Sequence, residues 1–417
     1  MQAALQTFID LDGEPHVVGT LWTRNNKGRE SATFEYAKAW LENPARFELE
    51  PALALGKGPQ HTAAGRSLFG GFGDSAPDRW GRRLILREEQ RRAREQKRAP
   101  QTLHEVDYLL RVNDFTRQGA LRFKQTPDGA FLAPSEGRTV PPLVFLPKLL
   151  AAAMQAGTDK ESDEDLRLLL EPGSSLGGAR PKASVIDKDG ALSIAKFPQG
   201  DDAVRVPAWE ALALELAKAA DIETPQWRLE TIAQRPVLIL RRFDRNGERR
   251  IPYLSAMSML GAGDGDQRSY MEIADALRRY GVKPQDDCAQ LWRRIVFNIL
   301  ISNTDDHLRN HGFLYARKGW RLAPAFDLNP VPQTVKSRNL SMAINESDNT
   351  ASLEIAMEVA DHFYVKPKRA REIAKQVGSV VALWRSLAKK NGLTAPEMDA
   401  MASAFEHSDL KLALKLD

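Results

Sequence analysis

Cysteine and long apolar segments are scarce in this sequence. Cys288 is the only cysteine in 417 residues, so an internal disulfide is excluded and a reducing compartment, the cytoplasm, is expected. The apolar segment at residues 141–157 is interrupted by Pro147 and Lys148, and the first residues lack a basic start followed by an apolar core. We therefore predict neither a membrane span nor a signal peptide.

Charge of either sign is not in marked excess. The 59 basic and 55 acidic residues leave a formal net charge of +4, and the pI is about 9.0. This balance permits contact with nucleic acid without requiring it. A chain of 417 residues is also longer than the ~250 residues that one hydrophobic core serves, so we expect two or three domains.

The pattern along the chain divides it into three segments. Residues 1–140 predict a small mixed α/β unit that opens with a hairpin around Asp12-Gly13. Residues 141–245 contain a Gly/Ser-rich loop followed by two alternating segments that predict a second hairpin. Residues 246–417 are mainly helical by periodicity, apart from two short strands predicted around Arg317-Lys318-Gly319.

The stretch NTDDHLRN, residues 303–310, concentrates charge and amides directly after an apolar helix. An Asp followed five residues later by an Asn, here Asp305 and Asn310, is the spacing of the protein-kinase catalytic loop, where the Asp accepts a hydroxyl proton and the Asn binds magnesium. A predicted hairpin then leads to Asp327, as it leads in kinases to a second carboxylate for the metal. The alternative is structural: a turn at Asp305 and Asp306, with Asn310 capping a following helix.

Two histidines lie in the same region. His307 and His311 are four residues apart, a spacing that can bind zinc on a helix, but the glutamate of the H-E-x-x-H pattern is absent and no third ligand is evident. A histidine beside carboxylates more commonly makes a structural hydrogen bond. We expect His307 to brace the loop by such a bond and count it among the cofactor-binding candidates.

A phosphate-binding loop is predicted between residues 173 and 182. The sequence GSSLGG nearly begins a Walker A motif, but Ala179-Arg180-Pro181-Lys182 replaces its end, which disfavours a standard P-loop NTPase. Backbone amides at Gly177 and Gly178 and the basic side chain of Lys182 could still bind phosphates.

Two further segments predict other parts of a nucleotide site. Lys196 ends an apolar strand where a nucleotide-binding lysine is expected, and Glu210 on the next helix is placed to pair with it. In RRFDR, Arg241 and Phe243 follow a buried strand and could face adenine, with Asp244-Arg245 paired nearby. A surface lysine with an exposed glutamate, and an ordinary strand end, are the structural alternatives.

The helix predicted at residues 82–98 carries eight Arg or Lys against three Glu. This composition is typical of a solvated helix face. A partner surface remains the alternative, and in that interpretation Arg91 and Arg92 would contact DNA phosphates.

These segments follow one another in the order SSLGGARPKA, IAKFP, RRFDR, NTDDHLRN and APAFDLNP. In this order they resemble the HipA family, the kinase toxins of bacterial HipA–HipB toxin–antitoxin modules. The resemblance covers nearly the whole chain, including GDSAPDRWG and the Gly119-Ala120 pair. It implies an α+β, protein-kinase-like two-lobed fold: an additional α/β amino-terminal subdomain (1–140), an ATP-binding lobe with loop and hinge (141–245) and an all-α catalytic lobe (246–417).

The resemblance also implies roles for the polar candidates. Asp305 would be the catalytic base, Asn310 and Asp327 would be magnesium ligands, and Lys196 would bind the ATP phosphates. The implied reaction is transfer of the ATP γ-phosphate, with Mg²⁺, to a serine or threonine of a protein, such as the aminoacyl-tRNA synthetase for glutamate.

The hinge and the loop serines are assigned in the same way. Arg241 and Phe243 would bind adenine, although relatives often have an acidic residue at the position of Arg241. Ser175, or its neighbour Ser174, would be the serine whose autophosphorylation silences the enzyme. A HipB-like helix-turn-helix antitoxin is the implied partner, with operator DNA reached through that complex. The alternative function is a kinase-like, nucleotide-binding corepressor that acts mainly in a DNA-bound complex.

Overall fold

The computed structural model describes residues 2–132, 140–170, 178–200, 202 and 204–417. Gly177, Ser174 and Ser175 lie outside the described residues. The chain divides into two compact units. Unit 1 comprises Met1–Gly200, Thr231–Arg235 and Ile239–Leu254, and unit 2 comprises Asp201–Glu230, Pro236–Leu238 and Ser255–Asp417.

The strands of the described residues are β1 (Gln2–Leu11), β2 (Glu14–Asn26), β3 (Arg29–Tyr36), β4 (Gln60–His61), β5 (Leu121–Lys124), β6 (Lys182–Ile186), β7 (Leu192–Lys196), β8 (Trp227–Ile232), β9 (Arg235–Arg241), β10 (Arg245–Asn246), β11 (Arg249–Arg250), β12 (Tyr253–Ser255), β13 (Gly312–Tyr315) and β14 (Trp320–Leu322). They form sheets in the orders β4-β3-β2-β1-β5, β6-β7-β9-β8, β10-β11 and β12-β13-β14.

The α-helices are α1 (Lys38–Leu41), α2 (Gly70–Asp74), α3 (Arg79–Glu95), α4 (Glu105–Leu110), α5 (Leu146–Gln155), α6 (Asp163–Leu170), α7 (Val206–Ala219), α8 (Ala256–Met259), α9 (Tyr270–Tyr280), α10 (Pro284–Leu300), α11 (Leu353–Glu358), α12 (Pro367–Val381), α13 (Trp384–Lys390), α14 (Ala395–Phe405) and α15 (Ser408–Lys415). Short 3-10 helices span Leu143–Phe145, Leu308–Asn310 and Ala360–Phe363. Within the described ranges, no helix combines the length and apolar character needed to cross a bilayer.

The five-stranded sheet of unit 1 is an antiparallel meander. Leu11 pairs with Glu14 across a two-residue loop, in which Asp12 and Gly13 both have positive φ (55° and 91°). Positive φ at both loop residues is the backbone of the type I′ turn, whose twist matches that of paired strands. The hairpin predicted from Asp12-Gly13 is therefore confirmed.

In unit 2, α10 is the helix that carries the candidate loop. The helix begins at Pro284, and proline at the first position followed by acidic residues in the first turn favours the start of a helix. Its residues Leu291, Ile295 and Ile299 are fully buried, as their spacing of four predicts. The helix ends at Leu300, and Ser302 takes a left-handed conformation (φ 51°), so the chain turns sharply into residues 303–310.

The carboxy-terminal lobe was expected to be all-α, and this part of the prediction is wrong. The β13–β14 hairpin lies within residues 246–417, with Phe313 paired to Leu322 and Tyr315 to Trp320. Phe313, Trp320 and Leu322 of this hairpin are buried, and Lys318 at the turn has φ 81°. The two short strands predicted around residues 317–319 are thus present.

Candidate active site

The loop at residues 303–310 is tied to the last turn of α10. Asn298 Nδ2 donates to Asp306 Oδ2 at 2.8 Å, and Asn303 Nδ2 donates to Asn298 Oδ1 at 3.1 Å. The backbone N–H of Asn303 also donates to the Asn298 carbonyl, at 2.8 Å. Because every residue of α10 from 291 to 300 is buried, these bonds give the loop a rigid base.

Asp306 is the anchor of this loop. Its side chain is buried, and Oδ2 accepts hydrogen bonds from Tyr270 Oη at 2.6 Å, Asn298 Nδ2 at 2.8 Å and His311 Nε2 at 2.7 Å. A buried carboxylate requires such donors. Burial, reinforced by the Asp306 charge, raises the pKa of Tyr270 well above its ordinary value, so Tyr270 stays a protonated donor.

From Thr304 to Asn310, buried and exposed residues alternate along the loop. Asp305 and His307 are exposed, with 78% of the Asp305 side chain accessible, whereas Asp306, Leu308 and Asn310 are buried. The expectation that His307 braces the loop is wrong, because the histidine bonded to a loop carboxylate is His311. The two adjacent aspartates therefore have opposite roles, one structural and one available to solvent.

Asn310 closes the loop. Its backbone N–H donates to the His307 carbonyl at 2.8 Å, and its Nδ2 donates to the Asp305 carbonyl at 3.4 Å. The structural alternative required Asn310 to cap a following helix. Strand β13 begins at Gly312 instead, so Asn310 has no such helix to cap.

Asp327 lies in a second segment that contacts the loop. It is half-buried and has φ 59°, a left-handed conformation that is uncommon for a non-glycine residue and is concentrated at functional sites. Asn329 Nδ2 donates to Asp327 Oδ1 at 3.2 Å, and the Asn329 N–H donates to Asn303 Oδ1 at 3.4 Å. Asn303, a residue the sequence analysis missed, therefore links the Asp305 loop to the Asp327 segment.

The donor set of this site suits magnesium. Asn310 and Asp327 offer an amide oxygen and a carboxylate, the oxygen ligands that Mg²⁺ prefers when phosphates and water complete its shell. The described residues, at this site or elsewhere, contain no group of three or more His, Cys, Asp or Glu side chains that could hold a metal by themselves. A cation bound here would need additional ligands, which nucleotide phosphates can supply.

Lys336 lies against the exposed aspartate. Its Nζ is 3.0 Å from Asp305 Oδ1 and 3.1 Å from the Thr304 carbonyl oxygen. Ser341 Oγ donates to the same carbonyl at 2.9 Å. Lys336 follows Asp327 by nine residues and was missed by the sequence analysis, because its position depends on the path of the chain after Asp327.

In unit 1, the predicted phosphate-side residues adjoin α3. Lys182 Nζ forms a buried ion pair with Asp78 Oδ2 at 2.7 Å, and Asp78 Oδ1 accepts the Gly81 N–H at 2.8 Å, capping α3. Trp80 Nε1 donates to the Lys182 carbonyl at 3.1 Å. Gly178 has φ 99°, where a side chain would be strained. The GDSAPDRWG segment thus supports Gly178 and Lys182, while their contact with ATP stays a prediction.

The hinge candidates have identifiable contacts within unit 1. Arg241 Nη1 pairs with Asp189 Oδ2 at 2.8 Å, at the turn between β6 and β7. The Phe243 ring lies 6.2 Å from the Tyr253 ring, centroid to centroid. The Arg241 side chain thus has a structural contact, and adenine binding by these two residues remains a prediction.

The side chains of Arg242, Asp244 and Arg245 in the RRFDR segment are buried. The predicted pair is confirmed, since Arg245 Nη1 lies 2.8 Å from Asp244 Oδ2. Burial opposes ionisation of Asp244, but Arg242 and Arg245 outweigh it and lower the pKa of Asp244. Asp244 Oδ2 also accepts the Gly119 N–H at 2.8 Å. Asp244 and Arg245 therefore bind the backbone of Gly119, the first residue of the Gly119-Ala120 dipeptide that contributed to the resemblance.

Lys196 and Glu210 belong to different units. Lys196 is half-buried at the end of β7 in unit 1, and Glu210 is buried in α7 in unit 2. Their pairing stays a prediction. Asp305, Asn310 and Asp327 share unit 2.

Comparison with known proteins identifies the family. A model of the HipA N-terminal domain matches residues 11–104, and a model of the HipA-like C-terminal domain matches residues 174–384, which is half of the chain. The chain belongs to the HipA family. Relatives that are 24% identical to this chain include the putative kinases Y4mE and Y4dM of Sinorhizobium fredii, over 77% and 61% of this chain and 77% and 71% of those proteins.

The fold agrees with this assignment. A chain of the Shewanella oneidensis MR-1 complex of HipA, HipB and operator DNA matches with a TM-score of 0.66 and 17% identity, covering 99% of this chain and 96% of that chain. The predicted HipA fold, in which helices and sheets are both present, is therefore confirmed.

Proposed function

We propose that this HipA-family protein is a Ser/Thr protein kinase that uses ATP and Mg²⁺. The observation that carries the proposal is the arrangement around Asp305: its carboxylate is solvent-exposed on a loop that buried Asp306 anchors and that Asn303 joins to the Asp327 segment. Phosphoryl transfer depends on such fixed placement of a proton acceptor and charge-stabilising groups, because the protein contributes little covalent chemistry.

In the proposed reaction, Asp305 accepts the proton of a substrate serine or threonine hydroxyl. The hydroxyl oxygen forms a bond to the γ-phosphorus, the bond from that phosphorus to the β–γ bridging oxygen breaks, and ADP leaves. Asn310 and Asp327 would hold Mg²⁺, which supplies charge neutralisation at the phosphates. Anchoring by Asp306 keeps the Asp305 carboxylate in position for the hydroxyl.

The other candidates serve nucleotide binding in this proposal. Lys196, supported by Glu210, would contact the phosphates, and Gly177, Gly178 and Lys182 would line the phosphate loop. The exposed His307 would lie beside the nucleotide. Arg241 and Phe243 would border adenine.

Regulation and partners extend the proposal. Autophosphorylation at Ser175 or Ser174 would silence the enzyme, a HipB-like antitoxin would bind it, and operator DNA would be reached through that antitoxin. The matched Shewanella complex, which contains HipA, HipB and operator DNA, supports these partners. The protein substrate would be of the aminoacyl-tRNA synthetase type, and the protein would act in the cytoplasm.

Kinase activity is tested with Asp305→Asn. With Mg·[γ-³²P]ATP, we expect the parent chain to transfer phosphate and the variant to lose at least ~10²-fold in rate, because a positioned general base contributes that much. Asp128→Asn, at an exposed turn in unit 1, is the matched control and should retain full activity. An Asp305→Asn protein as active as its parent would refute the proposal.

A corepressor is the second candidate function. The structure changes which basic residues of α3 would contact DNA in that function. Arg91 pairs with Glu161 and Asp163, and Arg92 pairs with Glu88, so the two arginines expected to contact DNA already have acidic partners. Arg79, Arg83 and Arg94 are further exposed basic residues of α3.

This candidate predicts salt-dependent binding to duplex DNA. Reversing Arg79, Arg83 and Arg94 to Glu should weaken that binding and reduce its dependence on salt concentration. Reversing Arg92 alone should have less effect. If the parent chain does not bind DNA at low salt, this helix face is only a solvated surface.

A further inference from the structure

The turn that follows Asp327 places a lysine at the proposed catalytic base. The N–H groups of Val335 and Lys336 both donate to the Pro332 carbonyl, at 2.9 and 3.2 Å. This turn directs Lys336 Nζ to within 3.0 Å of Asp305 Oδ1. All of these residues belong to unit 2.

The catalytic loop does not supply this positive charge itself. Its basic residues are His307 and Arg309, and the Arg309 guanidinium forms an ion pair with Asp264. Lys336, from outside the loop, is therefore the ammonium that contacts Asp305 Oδ1. Its side chain is 41% exposed and that of Asp305 is 78% exposed, so both groups can reach a molecule in solvent.

We propose that Lys336 binds the phosphoryl group during its transfer, an inference that rests on the proposed kinase function. An ammonium has three N–H donors, and among the residues that the structure describes two acceptors, Asp305 Oδ1 and the Thr304 carbonyl, are within hydrogen-bond distance. The third donor is available to a non-bridging oxygen of the γ-phosphate. Charged donors aimed at a transferring phosphoryl group stabilise the transition state.

Lys336 keeps its proton throughout this step. The substrate hydroxyl proton passes to Asp305, the new O–P bond forms as the β–γ bridging bond breaks, and ADP takes the electron pair of the broken bond. The ammonium aligns the Asp305 carboxylate before transfer and neutralises phosphoryl charge during it. Lys336 is thus a positioning residue for Asp305 and a direct contact of the reacting group.

The experiment measures kcat and KM for Mg·ATP from the initial rates of phosphate incorporation into the chain and of inorganic phosphate release, taken before autophosphorylation accumulates and silences the enzyme. For Lys336→Ala we expect kcat to fall by about 10²- to 10³-fold, the loss typical of removing one transition-state donor, with KM for ATP changed less than about threefold. Lys336→Arg should recover at least ~10-fold of that loss, because it restores a charged donor, whereas Lys336→Met should not. Affinity for ADP, which lacks the γ-phosphate, should be unchanged in all three.

Val335→Ala is the matched control, since Val335 lies in the same turn and is 75% exposed. It should retain parental kcat, and every variant should stay folded, with an unfolding midpoint close to that of the parent. A Lys336→Ala protein with parental kcat, or with a raised KM alone, would overturn the inference while Asp305→Asn still abolished activity. If Asp305→Asn is fully active, the proposed kinase function fails first, and the inference fails with it.

Discussion

His311 Nε2 lies 2.7 Å from Asp306 Oδ2, and both side chains are buried. This contact joins the start of β13 to the middle of the candidate loop. The neighbouring Asp305 takes no part in it and faces solvent. The contact therefore distinguishes two carboxylates that are adjacent in the sequence: that of Asp306 holds the loop, and that of Asp305 is exposed to solvent.

Because only Asp306 is buried, substitutions of the two aspartates should affect different properties of the protein. Asp306→Ala should reduce the free energy of unfolding by about 3 kcal/mol, because three buried donors lose their acceptor. Asp305→Ala should reduce it by less than about 1 kcal/mol, because its ion pair with Lys336 is exposed, yet it should abolish phosphate transfer. Urea unfolding and phosphate incorporation on the same preparations measure both effects. Equal loss of stability in the two variants would contradict the assignment of Asp306 as the anchor.

A second prediction concerns pH and the support of α10. His407 Nε2 is 3.1 Å from the Leu300 carbonyl at the end of that helix. Burial, aided by the positive charge of Arg338, lowers the pKa of His407 from 6.5 to about 4. Between these two values the unfolded chain binds a proton at this histidine and the folded chain does not, so stability should fall as pH drops from 6.5 to 4, by up to about 3 kcal/mol.

His407→Gln isolates this contribution. Glutamine can still donate to the Leu300 carbonyl but does not titrate, so the variant should lose less stability than the parent between pH 7 and pH 4.5. Urea unfolding of both proteins at several pH values gives the comparison. Parallel pH dependences would show that His407 does not titrate differently in the folded chain.

A third prediction tests the buried pair of Asp78 and Lys182. Asp78→Asn should reduce the free energy of unfolding by about 3 kcal/mol, because Lys182 remains buried beside a neutral partner. Asparagine still caps a helix, so the capping bond to Gly81 is kept. Adding Lys182→Met should recover part of the loss, and a double-mutant cycle should give a coupling energy of at least ~1 kcal/mol. Strictly additive effects would mean that the pair contributes nothing beyond its separate residues.

A fourth prediction concerns the loop serines, which lie outside the described residues. Intact-mass and peptide mass spectrometry of the purified parent should find phosphate on Ser175 or Ser174, and Asp305→Asn should carry none. Ser175→Ala and Ser174→Ala, made separately, identify the position. A phosphate would add nearly two negative charges beside Arg180 and Lys182. Phosphate present equally in Asp305→Asn would assign it to another kinase.

Several features could be predicted from neighbouring residues alone. The Asp12-Gly13 turn, the hairpin after Asn310 and the buried face of α10 all follow from turn chemistry or from periodicity over a few residues. The spacing of Asp305 and Asn310 and the order of the motifs were also sufficient to suggest the HipA family, which the family models then matched.

Tertiary structure decided which of these polar groups are buried and with what they pair. Nothing in the local sequence distinguishes Asp305 from Asp306, or His307 from His311. Which aspartate is buried, and which histidine contacts it, depends on Tyr270 in α9 and Asn298 in α10, whose side chains donate to Asp306. The partner of Lys182 lies 104 positions away, at Asp78, and Lys336 reaches Asp305 through a turn with no recognisable motif. Turns and periodic faces depend on adjacent residues, whereas the burial and pairing of a charge depend on every segment that packs around it.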